Sequence, residues 1–238
     1  MTFLENHREI QREYLRESQQ LVQNLSDARI LKIDAWNEGR GDLQGENQNG
    51  IIDIGSQLNS RIFLLEIDKK ICIQAKKQRI TCGDLRHTPF QSETFSAILD
   101  LSTLDHILFQ DLGPAMREYN RILKPGGRIL LIEWVSDAFR EGLRKGHSTQ
   151  FFLNKSDYRM FFSRFFIIEE ERVLKHSSQL LTYSFPHILY LLRGKRNNMA
   201  SEALRFSGDR NDCLQYSQQL QSSKRISESL ILGHESDA

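Results

Sequence analysis

Four acids sit at or just after the end of a short apolar run: Asp34 after Ile30-Leu-Lys-Ile33, Glu66 in Arg61-Ile-Phe-Leu-Leu-Glu-Ile67, Asp84 after Arg79-Ile-Thr-Cys82, and Asp100 in Phe95-Ser-Ala-Ile-Leu-Asp-Leu101. An ionised carboxylate only accepts hydrogen bonds, so acids in such places can receive hydroxyl or amino donors. Asp105 and His106 follow Leu104 as neighbours. An imidazole beside a carboxylate can take up and release a proton near neutral pH. The cysteines, Cys72, Cys82 and Cys213, form no CxxC pair and have no histidine at metal-ligand spacing; His147, His176, His187 and His234 show no such spacing either. No metal is expected, and a reduced, cytoplasmic compartment is the natural expectation.

The elements that must position these residues follow from the apolar pattern. Ala28–Asp34, Arg61–Ile67, Arg79–Cys82, Phe95–Leu101 and Arg128–Trp134 read as strands, with helices over Lys69–Lys77 and Leu112–Leu123. Strands alternating with helix-length segments imply βαβ units and a parallel sheet covered on both faces. Beyond Trp134, a helix near Ser156–Phe162 and strands at Phe166–Leu174 and Phe185–Leu192 suggest an antiparallel edge pair. The fold class is therefore α/β, Rossmann-like and doubly wound, mostly parallel with an antiparallel edge strand.

Residues 1–27 read as an N-terminal helical segment, 28–196 as the main domain and 197–238, rich in Ser, Gln, Arg, Asn and Glu, as a disordered or weakly helical tail. A formal net charge of +1 gives no field that would draw the chain to nucleic acid or an acidic membrane, and no apolar run reaches the roughly 20 residues of a membrane span. No nucleic-acid or membrane partner is expected. Nothing in the sequence speaks to the oligomeric state.

The stretch from Ile80 to Ile132 is the most specific. Cys82-Gly-Asp-Leu85, Thr88-Pro-Phe90, Phe95-Ser-Ala-Ile-Leu-Asp-Leu-Ser102, Leu104-Asp-His-Ile107 and Glu118-Tyr-Asn-Arg-Ile-Leu-Lys-Pro-Gly-Gly-Arg128 occur in an order and spacing that resemble the class I S-adenosylmethionine-dependent methyltransferases, in particular their small-molecule branch. The resemblance runs over about Ala28 to Leu192 and is stronger from Arg79 onward. It implies S-adenosylmethionine as cofactor and a small-molecule methyl acceptor. It places Glu66, with Ile67 beside it and Asp68 in reserve, at the ribose hydroxyls. Gly83, Asp84 and Leu85 then fall at the adenine, and Asp100, Leu101 and Ser102 under the methionine portion.

The first loop departs from the family's glycine-rich pattern, and two candidates compete. In one, Ile30–Asp34 is the first strand and Ala35-Trp-Asn-Glu-Gly-Arg-Gly41 the loop, so that Asp34, Ala35, Trp36, Glu38, Gly39 and Gly41 would meet the cofactor. In the other, Ile51-Ile-Asp-Ile-Gly55 forms strand and loop. That leaves only Ser56–Ser60 before the next strand, too short for a crossover of about a dozen residues, so the first is preferred. Lys32-Ile-Asp-Ala-Trp-Asn-Glu38 also resembles a variant loop of a subgroup of these enzymes.

Methyl transfer needs chiefly a nucleophile held against the methyl group with water excluded. For a hydroxyl acceptor the candidate bases are Asp105 and His106, with Glu133 and Trp134 as possible walls. Each has a structural reading too: His106 can cap or pack the following helix, and Asp105 can act as a helix N-terminal acid. Lys124-Pro-Gly-Gly127 reads as a turn without chemistry, and Phe161, Phe162, Phe165 and Phe166 as edge packing in preference to an acceptor pocket.

Overall fold

The computed structural model describes residues 3–23, 25, 28–34, 58, 62–74, 80–135, 140–143, 149–174 and 187–195. The segments expected to form the first loop, Ala35–Gly41, the rival strand, Ile51–Gly55, and the tail, 197–238, lie outside the described residues.

Helix α1 (Phe3–Gln23) buries Ile10, Tyr14, Ser18 and Leu21, a stripe at helical spacing that lies on one face of the sheet. Arg172 ties it to the far edge of the sheet, donating to Glu13 Oε1 at 3.0 Å and Glu17 Oε1 at 2.6 Å. The strands are β1 (Ile30–Ile33), β2 (Ile62–Glu66), β3 (Ile80–Cys82), β4 (Phe95–Leu101), β5 (Leu123–Trp134), β6 (Arg140–Leu143), β7 (Thr149–Phe152), β8 (Phe166–Leu174) and β9 (His187–Gly194). Between them run α2 (Lys69–Gln74), α3 (Leu112–Ile122) and α4 (Lys155–Phe165).

One seven-stranded sheet has the order β3-β2-β1-β4-β5-β9-β8. The first five strands pair in parallel, and β9 is antiparallel to both β5 and β8. The expected α/β doubly wound class is the one found, with the antiparallel strand lying just inside the outermost β8. β1 pairs Ile30–Ile33 with Ile62–Leu65 on one side and Ile30–Lys32 with Ala97–Leu99 on the other. Ile30–Asp34 therefore supplies the central first strand, as the crossover requirement demanded.

Alternation in the central strands splits the core in two. Ile30, Leu64, Ala97, Leu99, Leu130 and Ile132 face α1, while Leu31, Ile33, Leu65, Ile98, Ile129 and Leu131 face α3 and α4. Fully burying one such side chain stabilises the fold by about 1.5–3 kcal/mol. Phe162 and Phe166 join the second layer, and the Phe162 ring lies edge-on to Tyr190 at 5.0 Å, so the phenylalanine cluster is packing.

Two local features differ from the expected pattern. Lys124–Gly127 is a bulge inside β5 instead of a separate turn: Phe95 pairs with Leu123 and Ala97 with Arg128, so the β5 side carries extra residues. Gly126 sits at φ 75°, and a Cβ on Gly127 would come within 2.9 Å of the Leu123 side chain and Lys124 O, which explains both glycines. The second feature is the antiparallel β6–β7 ribbon, inserted between β5 and α4 and packed by β7 against the 3-10 turn Leu104–His106.

Candidate functional site

The sheet order reverses between β1 and β4, which makes their carboxyl ends the switch point where open α/β sheets bind ligands. Both strands end in a left-handed residue, Asp34 at φ 58° and Ser102 at φ 54°. Such backbone is uncommon for side-chain-bearing residues and persists only where surroundings hold it. Lys32, buried in β1, donates from Nζ to Asp34 O at 2.6 Å, and Ser102 N donates to Ile132 O at 2.8 Å. Lys32 thus secures the end of the central strand.

On the other side of β1, Glu66 closes β2 as a buried acid. Its Oε1 accepts from Asp68 N at 2.8 Å, and its carbonyl accepts from Gly83 N at 2.9 Å, joining the ends of β2 and β3. Ile67 is 67% exposed at this edge. Asp84 follows on the loop after β3, where Arg86 Nε reaches Oδ1 at 2.9 Å and Oδ2 at 3.0 Å. The same guanidinium donates to Asp111 Oδ2 at 2.6 Å, tying this loop to the turn before α3. The Arg86 hydrogen bonds hold the Asp84 carboxyl below its usual range, against a smaller opposing effect of burial. Leu85 is buried in the core beneath.

At the end of β4, Asp100 is fully buried and its Oδ2 accepts the Tyr119 hydroxyl at 2.7 Å. Burial pushes its carboxyl up to about 6, while the nearby Thr103 hydroxyl and the Tyr119 hydrogen bond pull the other way. Leu101 is half-buried beside it. Glu133, fully buried at the end of β5, accepts from Leu104 N at 3.4 Å through Oε1. Among the described residues its Oε2 has no hydrogen-bond partner. Burial, then the neighbouring Asp100 and Asp105 charges, push its carboxyl well up. Asp100 and Glu133 are thus both pushed up, so this buried pair retains protons that exposed acids would lose.

Asp105 is buried with this cluster, whereas the His106 side chain is 37% exposed, its Nε2 lying 3.9 Å from Asp105 Oδ2. The two neighbours therefore differ in reach: His106 looks outward and Asp105 stands behind it. Trp134 lies against His187, ring centroids 3.9 Å apart, where β5 and β9 meet. Among the described residues no group of His, Cys, Asp and Glu could hold a metal, and no helix is long and apolar enough to cross a membrane.

The structure thus brings Asp34, Glu66, Ile67, Gly83, Asp84, Leu85, Asp100, Leu101, Ser102, Asp105 and His106 to the carboxyl edge of one sheet. Ala35, Trp36, Glu38, Gly39 and Gly41 lie outside the described residues. Sequence reasoning missed Arg86, Tyr119 and the full burial of Glu133. Arg86 carried a signal, being a cation two residues after Asp84; Tyr119 carried none, since it meets Asp100 only by packing.

Residues 44–131 match the model of a family described as a methyltransferase domain. The chain is similar in structure to a SAM-dependent methyltransferase from Methanosarcina mazei, with TM-score 0.55 and 12% identity over 73% of this chain and 95% of that one. It is also similar to 1,6-didemethyltoxoflavin-N1-methyltransferase from Burkholderia thailandensis, seen with 1,6-didemethyltoxoflavin and S-adenosylhomocysteine bound (TM-score 0.54, 13% identity, 76% and 78% coverage). The cyclase SpnF shares the fold as well, with TM-score 0.55 and 14% identity over 77% and 81% of the two chains. In sequence, 54 residues are 37% identical to the uncharacterized protein YafE of Escherichia coli, spanning 23% of this chain and about a quarter (25%) of that relative. This protein has the fold of the class I S-adenosylmethionine-dependent methyltransferases.

Proposed function

We propose that the chain transfers a methyl group from S-adenosylmethionine to a small-molecule acceptor. One observation carries the reading: β1 and β4 part at the switch point, each closed by a left-handed residue, Asp34 and Ser102, with buried acids on the flanking strand ends. Glu133 Oε2, which has no hydrogen-bond partner among the described residues, and the acids gathered at this edge fit a ligand rich in hydroxyl and amino groups. When bound, the cofactor supplies a sulfonium methyl that a nucleophile can displace in line.

The residues divide the work. Glu66 accepts from the ribose hydroxyls, and Asp84, with Leu85 and Gly83 around it, faces the adenine edge. Asp34 and the following Ala35–Gly41 segment, with Asp100, Leu101 and Ser102, hold the methionine portion. His106 is the base that receives the acceptor's proton, and Asp105 behind it orients the imidazole. The β6–β7 ribbon beside the Leu104–His106 turn covers the acceptor side and excludes water. The Burkholderia neighbour, seen with 1,6-didemethyltoxoflavin bound, supports a small-molecule acceptor.

A second reading is a cofactor-fold protein without methyl-transfer activity, in a regulatory or partner-binding role. It is favoured by the engagement of Asp84 with Arg86, which occupies the adenine acceptor, and by the cyclase that shares the fold, since a fold does not dictate a reaction. The test is calorimetric titration with S-adenosylmethionine, followed by a screen of metabolite pools with methyl-labelled cofactor and mass identification of the product. Binding with label transfer supports the first reading. Binding without transfer to any pool supports the second, and no binding at millimolar cofactor removes the first.

A further inference from the structure

Cys72 and Cys82 sit on successive elements, α2 and β3, and converge on one short segment. β3 pairs with β2 so that Cys82 stands opposite Glu66, and its Sγ lies 3.9 Å from Ile67 O. The return of the chain through α2 brings Cys72 Sγ to 3.6 Å from Glu66 O. The two sulfurs thus lie against consecutive carbonyls at the end of β2. Cys82 is exposed and Cys72 half-buried. Burial, reinforced by Cys82, pushes the Cys72 thiol up to about 11, so near neutral pH it stays protonated while its neighbour meets solvent.

We propose that Cys72 and Cys82 form a reversible dithiol oxidation site, with hydrogen peroxide as oxidant, whose closure lowers cofactor affinity at the adjoining Glu66. The Cys82 sulfur attacks one peroxide oxygen, the O–O bond breaks, water leaves and a sulfenic acid remains on Cys82. The Cys72 sulfur then attacks the Cys82 sulfur, the S–O bond breaks and a second water leaves with the Cys72 proton. Two thiols lose two electrons in all, and one hydrogen peroxide becomes two waters. A dithiol reductant reverses the bond by exchange. Unequal exposure suits the two roles, since the reachable sulfur meets the oxidant and the sheltered one resolves it.

The consequence for binding follows from position and rests on the methyltransferase reading. A bond between Cys72 and Cys82 locks α2 onto the end of β3 across the Glu66–Asp68 turn, whose amide at Asp68 holds the Glu66 carboxylate. Drawing the two sulfurs from the Glu66 and Ile67 carbonyls to bonding distance shifts that turn and misplaces the buried acid.

The experiment uses the full chain with Cys213→Ser, so that only this pair can react. Treatment with one equivalent of hydrogen peroxide should lower the intact mass by about 2 Da and yield a peptide linking positions 72 and 82, both reversed by dithiothreitol. The further variant Cys72→Ser should stop at a Cys82 sulfenic acid that dimedone traps. Calorimetry should find S-adenosylmethionine bound at least about fivefold more weakly by the oxidised form, within the ordinary range of coupling between sites. The Cys72→Ser/Cys82→Ser form should show no response to peroxide. Absence of the linked peptide overturns the proposal, and so does a linked form that binds cofactor as tightly as the reduced one. Failure of the reduced protein to bind cofactor at all would overturn the methyltransferase reading, while the linked peptide would still decide the dithiol chemistry.

Discussion

The Tyr119 hydroxyl donates to Asp100 Oδ2 at 2.7 Å, joining the middle of α3 to the last buried turn of β4. Tyr119 is itself fully buried, so the pair forms one unit under the switch point. Burial, countered by the nearby Thr103 hydroxyl and the Tyr119 hydrogen bond, leaves the Asp100 carboxyl at about 6, against an ordinary 3.8. A carboxyl raised in the folded state stabilises the fold fully below its unfolded pKa and loses that contribution as pH rises through the folded value. Asp100→Asn keeps an acceptor for Tyr119 without the charge. Urea unfolding at several pH values should therefore find the variant gaining on wild type by on the order of 3 kcal/mol between pH 4 and 7. A difference that stays constant across this range would contradict the assignment.

Glu118 should show the opposite slope. It accepts from Thr88 N at 2.8 Å, Thr88 Oγ1 at 2.7 Å and Arg121 Nε at 2.7 Å. Burial alone would raise its carboxyl, yet the Arg121 and Thr88 hydrogen bonds outweigh it and hold it below the usual range. That contribution is present above the unfolded carboxyl pKa and lost as pH falls through the folded one. Glu118→Gln should destabilise by about 1–2 kcal/mol at pH 7, discounted because Arg121 is partly exposed, and by less as the solution is acidified. Thermal unfolding at pH 7 and pH 4 checks both magnitude and direction.

Glu66→Gln isolates charge from shape at the ribose position. The amide can still accept from Asp68 N, so the melting temperature should move little, while S-adenosylmethionine affinity should fall about 10- to 100-fold, as for the loss of charge-assisted hydrogen bonds. Calorimetry on both proteins gives the ratio. An unchanged affinity would move the ribose role to Asp68.

How much of this was legible depends on the range of the interaction. β4 was readable because Phe95–Leu101 is a dense apolar run closed by an acid, and α3 because Leu112, Met116 and Tyr119 share a helical face. The central place of Ile30–Asp34 was reachable by counting, since five residues cannot make a crossover. The β6–β7 ribbon escaped because Arg-Glu-Gly-Leu and Thr-Gln-Phe-Phe carry no alternation of apolar and polar residues. The bulge at Lys124–Gly127 escaped because register belongs to a pair of strands, and one strand's sequence does not contain it. At the site, the acids were visible as residue types. Their partners were not, since Tyr119 reaches Asp100 through the packing of α3.

Arg86 decides whether Asp84 is free for the adenine. Its guanidinium lies across both Asp84 oxygens and reaches on to Asp111, and all three side chains are partly exposed. Exposed pairs contribute little to stability, so Arg86→Ala should change unfolding free energy by about 1 kcal/mol or less. Binding should respond more, because the substitution releases the Asp84 carboxylate to accept an amino donor. Arg86→Ala should bind S-adenosylmethionine as tightly as wild type or more tightly, and Asp84→Asn more weakly. Should Arg86→Ala instead weaken binding as much as Asp84→Asn does, the ion pair itself would be the feature that shapes the adenine side, with Arg86 holding the loop after β3 against Asp111. Calorimetric titration of the two variants beside wild type, at one salt concentration, separates these outcomes.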